Sequence, residues 1–276
     1  MREFYLVNEE GTTYFFNHRN KTLISKIGNL GFSFDNTFLK YDDDYVLVDF
    51  NTNQGSIDFD VVFLKGYQGY NDFLNFINRS TNARIRLFYK YDGVSRFCYV
   101  TLNKITKTEL ESNTIQSSIS FDKLSLWLDI VTTTIRISED GEGKMFPFVY
   151  PYMYSSSYVG TASIVNDGDT KASLDFYIYG AVNYPIIEIY KNGDIVANIK
   201  LLVISDECSI TIKSDLTDQC MLMVENGVES NIYSKQDFTC DNFIFLEKGN
   251  YVVKFISGAS KEATCKISMR KGYWGH

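Results

Sequence analysis

GYQGYNDFLNFINRSTNARIRLFYKY, residues 66–91, carries two periodicities in succession. Tyr70, Phe73, Leu74 and Ile77 recur at helical spacing, with Asn71, Asp72, Asn75 and Asn78 on the opposite face. From Arg84 the pattern changes to strict alternation, which predicts a strand. Asp92 and Gly93 follow, a dipeptide suited to the positive backbone angles of a tight turn, and SRFCYVTL then predicts the return strand. A short helix joined to a hairpin in a chain that elsewhere reads as strand predicts an α+β unit with one helix laid on a sheet.

Working outward, FYLVNEEGTTYFF predicts a hairpin that turns at Glu10 and Gly11. Extended runs follow at VLVDF from Tyr45 and at SIDFDVVFL from Ser56, where Ile57, Phe59 and Val61 face one way and Asp58 and Asp60 the other. TIQSSISFD places Ile115, Ile119 and Phe121 on one face, and LSLWLD closes the unit. SEDGEGK, residues 138–144, is polar, glycine-containing and free of large apolar groups, so it is the expected boundary. The expected organisation is an α+β unit at 1–137, a linker at 138–144, and a β-sandwich at 145–276 whose last residues return to the first unit. The sandwich is expected from short strands divided by turns, with Asn192–Gly193 and Asn226–Gly227 as hairpin signals. Within it, MFPFVYPYMYSSSY at 145–158 has two prolines and dense aromatics without clean alternation, which fits a segment packed between domains or subunits. The fold class is therefore mainly β, with an N-terminal α+β domain and a C-terminal β-sandwich.

The formal charge of −7 is uneven: residues 1–137 hold 15 basic and 16 acidic side chains, and residues 138–276 hold 12 and 18. An acidic chain is a poor general ligand for phosphate backbones, so no specific nucleic-acid partner is expected. No apolar run approaches the roughly 20 residues of a spanning helix, and the N-terminus lacks the pattern of a signal peptide, so the expected site of synthesis and folding is the cytosol. The local exception in charge is Arg84, Arg86, Lys90, Arg96, Lys104 and Lys107, which reads as a solvated hairpin face.

Chemistry has little to work with. His18 lies in FNHRNK and His276 is the last residue, which leaves no histidine in a catalytic context. Cys98, Cys208, Cys220, Cys240 and Cys265 are scattered and odd in number, and the expected state is buried free thiols rather than disulfides or zinc ligands. YDDDY at 41–45, SEDGEGK and NDGDTKASLD at 166–175 contain clustered acids. A calcium loop begun at Asp167 puts Lys171 in a ligand position, so all three read as solvated turns. No cofactor and no metal are expected, and the protein is expected not to be an enzyme.

The order of FLNFI, IRLFYKYDG, RFCYVTLNKITKTELE and SSISFDKLSLW resembles the N-terminal domain of siphophage distal tail proteins. GNLGFSF at 28–34 is similar to the glycine-leucine-glycine-phenylalanine element near the start of that family. NDGDTKASLDFYIYGAVNYPIIEIYKNG, NFIFLEKGNYVVKF and RKGYWG resemble later elements. The chain departs from the family pattern at Asn183, Tyr184 and Pro185, where the family has an asparagine-proline step, and in the acidity of residues 31–60.

The resemblance implies a structural virion protein of the tail tip or baseplate, assembled in the host cytoplasm. Residues 1–137 would be a ring-forming, tail-tube-like domain that builds a homo-oligomeric ring, commonly of six subunits, between the tail tube protein and the tip and receptor-binding proteins, with no membrane insertion. Tyr67, Tyr70, Arg84, Arg86, Lys90 and Arg96 are then candidates for the subunit interface. The alternative from a different class is a carbohydrate-binding adhesion module, whose C-terminal sandwich, galectin-like or carbohydrate-module-like, would make weak glycan contacts.

Overall fold

The computed structural model describes residues 2–79, 84–137 and 159–275. The chain divides into two compact units, Met1–Asp129 with Tyr273–His276, and Ile130–Gly272. The expected linker at 138–144 and the aromatic stretch at 145–158 lie outside the described residues.

In the first unit, β1 (Glu3–Val7), β2 (Thr13–Phe15), β3 (Thr22–Gly28), β4 (Phe34–Tyr41), β5 (Asp44–Thr52) and β6 (Ser56–Phe63) precede α1 (Tyr67–Asn78). β7 (Ile85–Tyr91), β8 (Val94–Ile105) and β9 (Ile115–Lys123) follow. The unit boundary falls inside β10 (Trp127–Ile137). Seven strands form an antiparallel sheet in the order β2, β1, β7, β8, β9, β6, β3. Alternation sets what each strand buries: Ile57, Phe59, Val61 and Phe63 of β6 are buried while the residues between them are partly exposed.

α1 is preceded by Gly66 at its N-cap, whose φ of 55° is left-handed and whose missing Cβ leaves room for the Leu110 side chain. Its fully buried anchor is Phe73, with ring centroids 5.2 Å from Tyr14 and 5.8 Å from Phe63. Burial of one such ring stabilises the unit by about 1.5–3 kcal/mol, which fixes the helix on the sheet without any side-chain cap. Phe76 is buried beside it, and Asn71, Asp72, Asn75 and Asn78 are exposed, as the periodicity requires.

The second unit begins with the latter part of β10 and contains β11 (Val159–Asn166), β12 (Ala172–Asn183), β13 (Ile186–Lys191), β14 (Asp194–Lys200) and β15 (Ile204–Lys213). β16 (Cys220–Glu225), β17 (Val228–Asn231), β18 (Ile244–Leu246), β19 (Gly249–Ile256) and β20 (Ala263–Tyr273) complete it. One layer runs β17, β16, β15, β12, β20, β10, with β18 also on β12, and the other runs β11, β19, β13, β14. A single apolar cluster joins residues of both layers, among them Phe176, Ile178, Ile189, Val253, Phe255 and Ile267. This is a β-sandwich. Asn192–Gly193 and Asn226–Gly227 all have positive φ and turn the β13–β14 and β16–β17 hairpins.

Candidate functional site

β4 and β5 form a two-stranded sheet of their own, with Asp42 and Asp43 at the turn. Every residue of both strands is exposed. Eight residues at about 3.3 Å each make β4 an arm of roughly 26 Å. Cross-strand partners share a face, so Phe38 stands beside Leu47, and Leu39 beside Val46 on the other side. Leu39 is 61% exposed. Phe34, Tyr41, Tyr45, Val48 and Phe50 add to the apolar surface. A two-stranded hairpin is marginal by itself in water, and contiguous exposed apolar surface of this kind is characteristic of interaction sites. Its charge is acidic, with Asp35, Asp42, Asp43, Asp44 and Asp49 against Lys40.

The root of the arm is anchored by ring contacts and hydrogen bonds. Phe34 packs edge-on against Phe50 at 5.5 Å and against Trp274 at 5.7 Å. The Asn53 N–H donates to the Ser33 carbonyl at 3.1 Å. The preceding loop is tied to the sheet by Trp127 Nε1 donating to the Leu30 carbonyl at 2.9 Å and Lys123 Nζ donating to the Gly31 carbonyl at 2.7 Å.

A second surface crosses β2, β1, β7 and β8 on the side of the sheet away from α1. Tyr5 lies between Phe15 at 5.1 Å and Phe88 at 4.7 Å, and Phe88 meets Phe97 at 5.1 Å. The Arg84 guanidinium sits 3.9 Å from the Tyr99 ring centroid and that of Arg86 sits 5.8 Å from Phe88. Lys90, two positions beyond Phe88 along β7, pairs with Glu3 at 3.7 Å.

The six interface candidates therefore divide. Arg84, Arg86 and Lys90 share one face of β7. Arg96 is registered opposite Tyr89, a core-facing residue, so it lies on the other face, stacked 3.5 Å from the Tyr273 centroid with Nη1 donating to the Gly275 carbonyl at 2.9 Å. Tyr67 and Tyr70 belong to the helix and share Lys107, whose Nζ is 4.9 Å and 5.7 Å from their ring centroids. Lys104 is exposed on β8. The β4–β5 arm was not among the candidates, and the signal for it was the run VLV beside an acidic turn.

No reactive centre emerges from the described residues. His18 is exposed in a turn, and His276 lies outside the described residues. No group of three or more His, Cys, Asp or Glu is placed to hold a metal ion among the described residues. All five cysteines are free, and burial pushes the thiols of Cys98 and Cys265 up to about 12. Buried Asp175 accepts the Ser214 N–H at 2.9 Å, and burial raises its carboxyl while that bond and Arg270 oppose the rise. This group secures a turn of the sandwich. No helix among the described residues is long and apolar enough to cross a membrane.

Residues 3–124 match the family model of the distal tail protein N-terminal domain. No curated protein matches the sequence. Over its whole length the chain has the fold of a protein in the phage P2 baseplate, solved in its activated conformation with calcium, at 17% identity, TM-score 0.69 and full coverage of both chains. The strontium form of that baseplate gives 18% identity and the same TM-score and coverage. The Dit protein of phage SPP1, described as a paradigm of the hub adsorption apparatus in phages that infect Gram-positive bacteria, is similar at 10% identity and TM-score 0.63, with 97% of this chain and 98% of that one covered. Residues 3–124 are thus a domain of the distal tail protein type, and the chain as a whole has the fold of these baseplate and hub proteins.

Proposed function

We propose that the protein assembles with copies of itself into a ring, six-membered as the resemblance implies, that joins the tail tube to the tip and receptor-binding proteins. The observation that carries this reading is the match of residues 3–124 to the distal tail protein N-terminal domain. The exposed β4–β5 arm supports it, because a chain that keeps nine large apolar side chains in water along one hairpin, Phe34, Phe38, Leu39, Tyr41, Tyr45, Val46, Leu47, Val48 and Phe50, gains by having them covered. A ring uses two different complementary faces on each subunit, and the arginine–aromatic face with Arg84, Arg86 and Lys90 supplies a second surface, basic where the arm is acidic. The role is architectural, with no catalytic step and no cofactor, and assembly takes place in the host cytoplasm before the tail is complete. Light scattering coupled to size-exclusion chromatography of the full chain, with electron microscopy of the eluted species, tests the reading. Closed rings are expected. A chain that stays monomeric at every concentration, alone and with its tail tube partner, overturns it.

A further inference from the structure

The tip of the β4–β5 arm and a cavity at the root of the same arm are complementary, yet one chain cannot bring them together. The tip carries three exposed carboxylates, Asp42, Asp43 and Asp44, flanked by Tyr41 and Tyr45, which are 72% and 69% exposed. None of the three carboxylates has an ion-pair partner among the described residues. The root holds a cavity of about 400 Å³ lined by Phe32, Asn53, Gln54, Lys123, Trp127 and Trp274. That volume is within the range of natural ligand sites, which hold an apolar body and a few placed polar groups.

Lys123 supplies the polar group. It is half-buried, and its stem runs so close to Gly55 that a Cβ there would stand 3.3 Å from Cδ. Its ammonium donates to the Gly31 carbonyl and has no carboxylate within ion-pair distance among the described residues. Burial pushes the amine below its ordinary value. A partly desolvated ammonium without a counter-charge is unfavourable, and an arriving carboxylate relieves it. Phe32 and Trp274, 5.6 Å apart, add aromatic surface to the cavity, as Tyr41 and Tyr45 do to the tip.

The arm is roughly 26 Å long, so its tip is held an arm's length from its own root. The acid must come from another copy. We propose that the Asp42–Asp44 tip of one copy seats in the Lys123 cavity of the next. Each copy then donates one tip and accepts one, a head-to-tail contact of the kind that closes into a ring. The contact rests on the ring reading above and names its chemistry.

The test uses two full-length variants, Lys123→Glu and the double variant Asp42→Lys, Asp43→Lys. Each alone faces like charge with like, and its self-association is expected to weaken about tenfold or more at moderate salt. In an equimolar mixture the lysine tips of the double variant meet the acidic cavities of the single variant. The unaltered acidic tips of the single variant meet the Lys123 cavities of the double variant, so alternating rings with an even number of subunits are expected to return. Lys123→Glu chains that form rings like the parent, or a mixture that restores nothing after both variants have failed alone, overturn the contact and leave the ring reading standing. A parent chain that forms no ring overturns both. Zero-length carbodiimide cross-linking of rings mixed from isotopically light and heavy parent chains keeps the question open to disproof if a variant misfolds. A light–heavy peptide joining Lys123 to the Asp42–Asp44 segment is expected, and rings cross-linked elsewhere without it overturn the contact.

Discussion

Two hairpins of the first unit begin from similar local chemistry and end in opposite environments. β7–β8 turns at Asp92 and Gly93, with φ of 53° and 85°, and β4–β5 turns at Asp42 and Asp43, with Asp42 at 50°. β7–β8 lies between β1 and β9 and buries Ile85, Leu87, Cys98 and Val100. β4–β5 has no sheet neighbour and buries nothing along its strands. Turn chemistry is enough to fold the chain back on itself, but what lies against the strands decides whether their apolar residues alternate. In β7 they do, because one face meets the core. In β5 the run VLV is continuous, as expected where no core of the same chain selects a face.

That contrast can be broken most forcefully at Leu87. Leu87→Ala opens a void in a fully buried site and is expected to cost about 2–5 kcal/mol in urea unfolding of the full chain. A loss below about 0.5 kcal/mol would mean that the buried hairpin is no better supported than the exposed one. Next in size is the alkaline behaviour of Cys98, whose thiol burial holds at about 12 against an ordinary 9.0. The raised value means its contribution is intact below pH 9. It is lost as pH climbs from 9 towards 12, by at most about 1.4 kcal/mol per pH unit, because only the unfolded chain gains by releasing the proton. Cys98→Val should flatten that part of the stability curve, and an unchanged slope would place the loss elsewhere.

Gly93→Ala comes third, at roughly 1 kcal/mol, since φ is +85° but the space around it is open, so only the backbone resists. Differential scanning calorimetry would register it as a small drop in Tm. The smallest effect on the isolated chain is expected at Leu47→Ser in the arm, within about 0.5 kcal/mol. The same change should weaken self-association measured by sedimentation, and unchanged association would remove the arm from the interface.

The elements with a core to face were legible in the sequence. β6, α1, β7, β8 and β9 follow from alternation or helical spacing, and the two Asn-Gly turns of the sandwich from their need for positive φ. β3 and β4 were not, and the reasons are physical. β3 is an edge strand whose register slips between Ser25 and Gly28, where Lys26 has φ of 48°, so no clean alternation survives. β4 reads FDNTFLKY because nothing within the chain sorts its side chains into inside and outside. The division of the basic residues was within reach. A two-residue turn at Asp92–Gly93 pairs Tyr91 with Val94 and hence Tyr89 with Arg96, which already sets Arg96 on the face opposite Arg84, Arg86 and Lys90. The Lys123 cavity was beyond reach, since it joins residues 32, 53, 123 and 274 only through the fold.

Arg96 fastens Tyr273 and Gly275 into the first unit, so the polypeptide leaves that unit after Asp129 and re-enters it at Tyr273. The sandwich is thus spliced into its host with a join at each end, like a cassette in a slot. Removing it cleanly requires excision of 130–272 and a new junction, whereas a single stop codon upstream would also strip the first unit of its aromatic closing residues. An exchange of the sandwich for another module would therefore have to cut the chain at two seams, near 129 and near 273, to leave the scaffold that receives it with its own sequence.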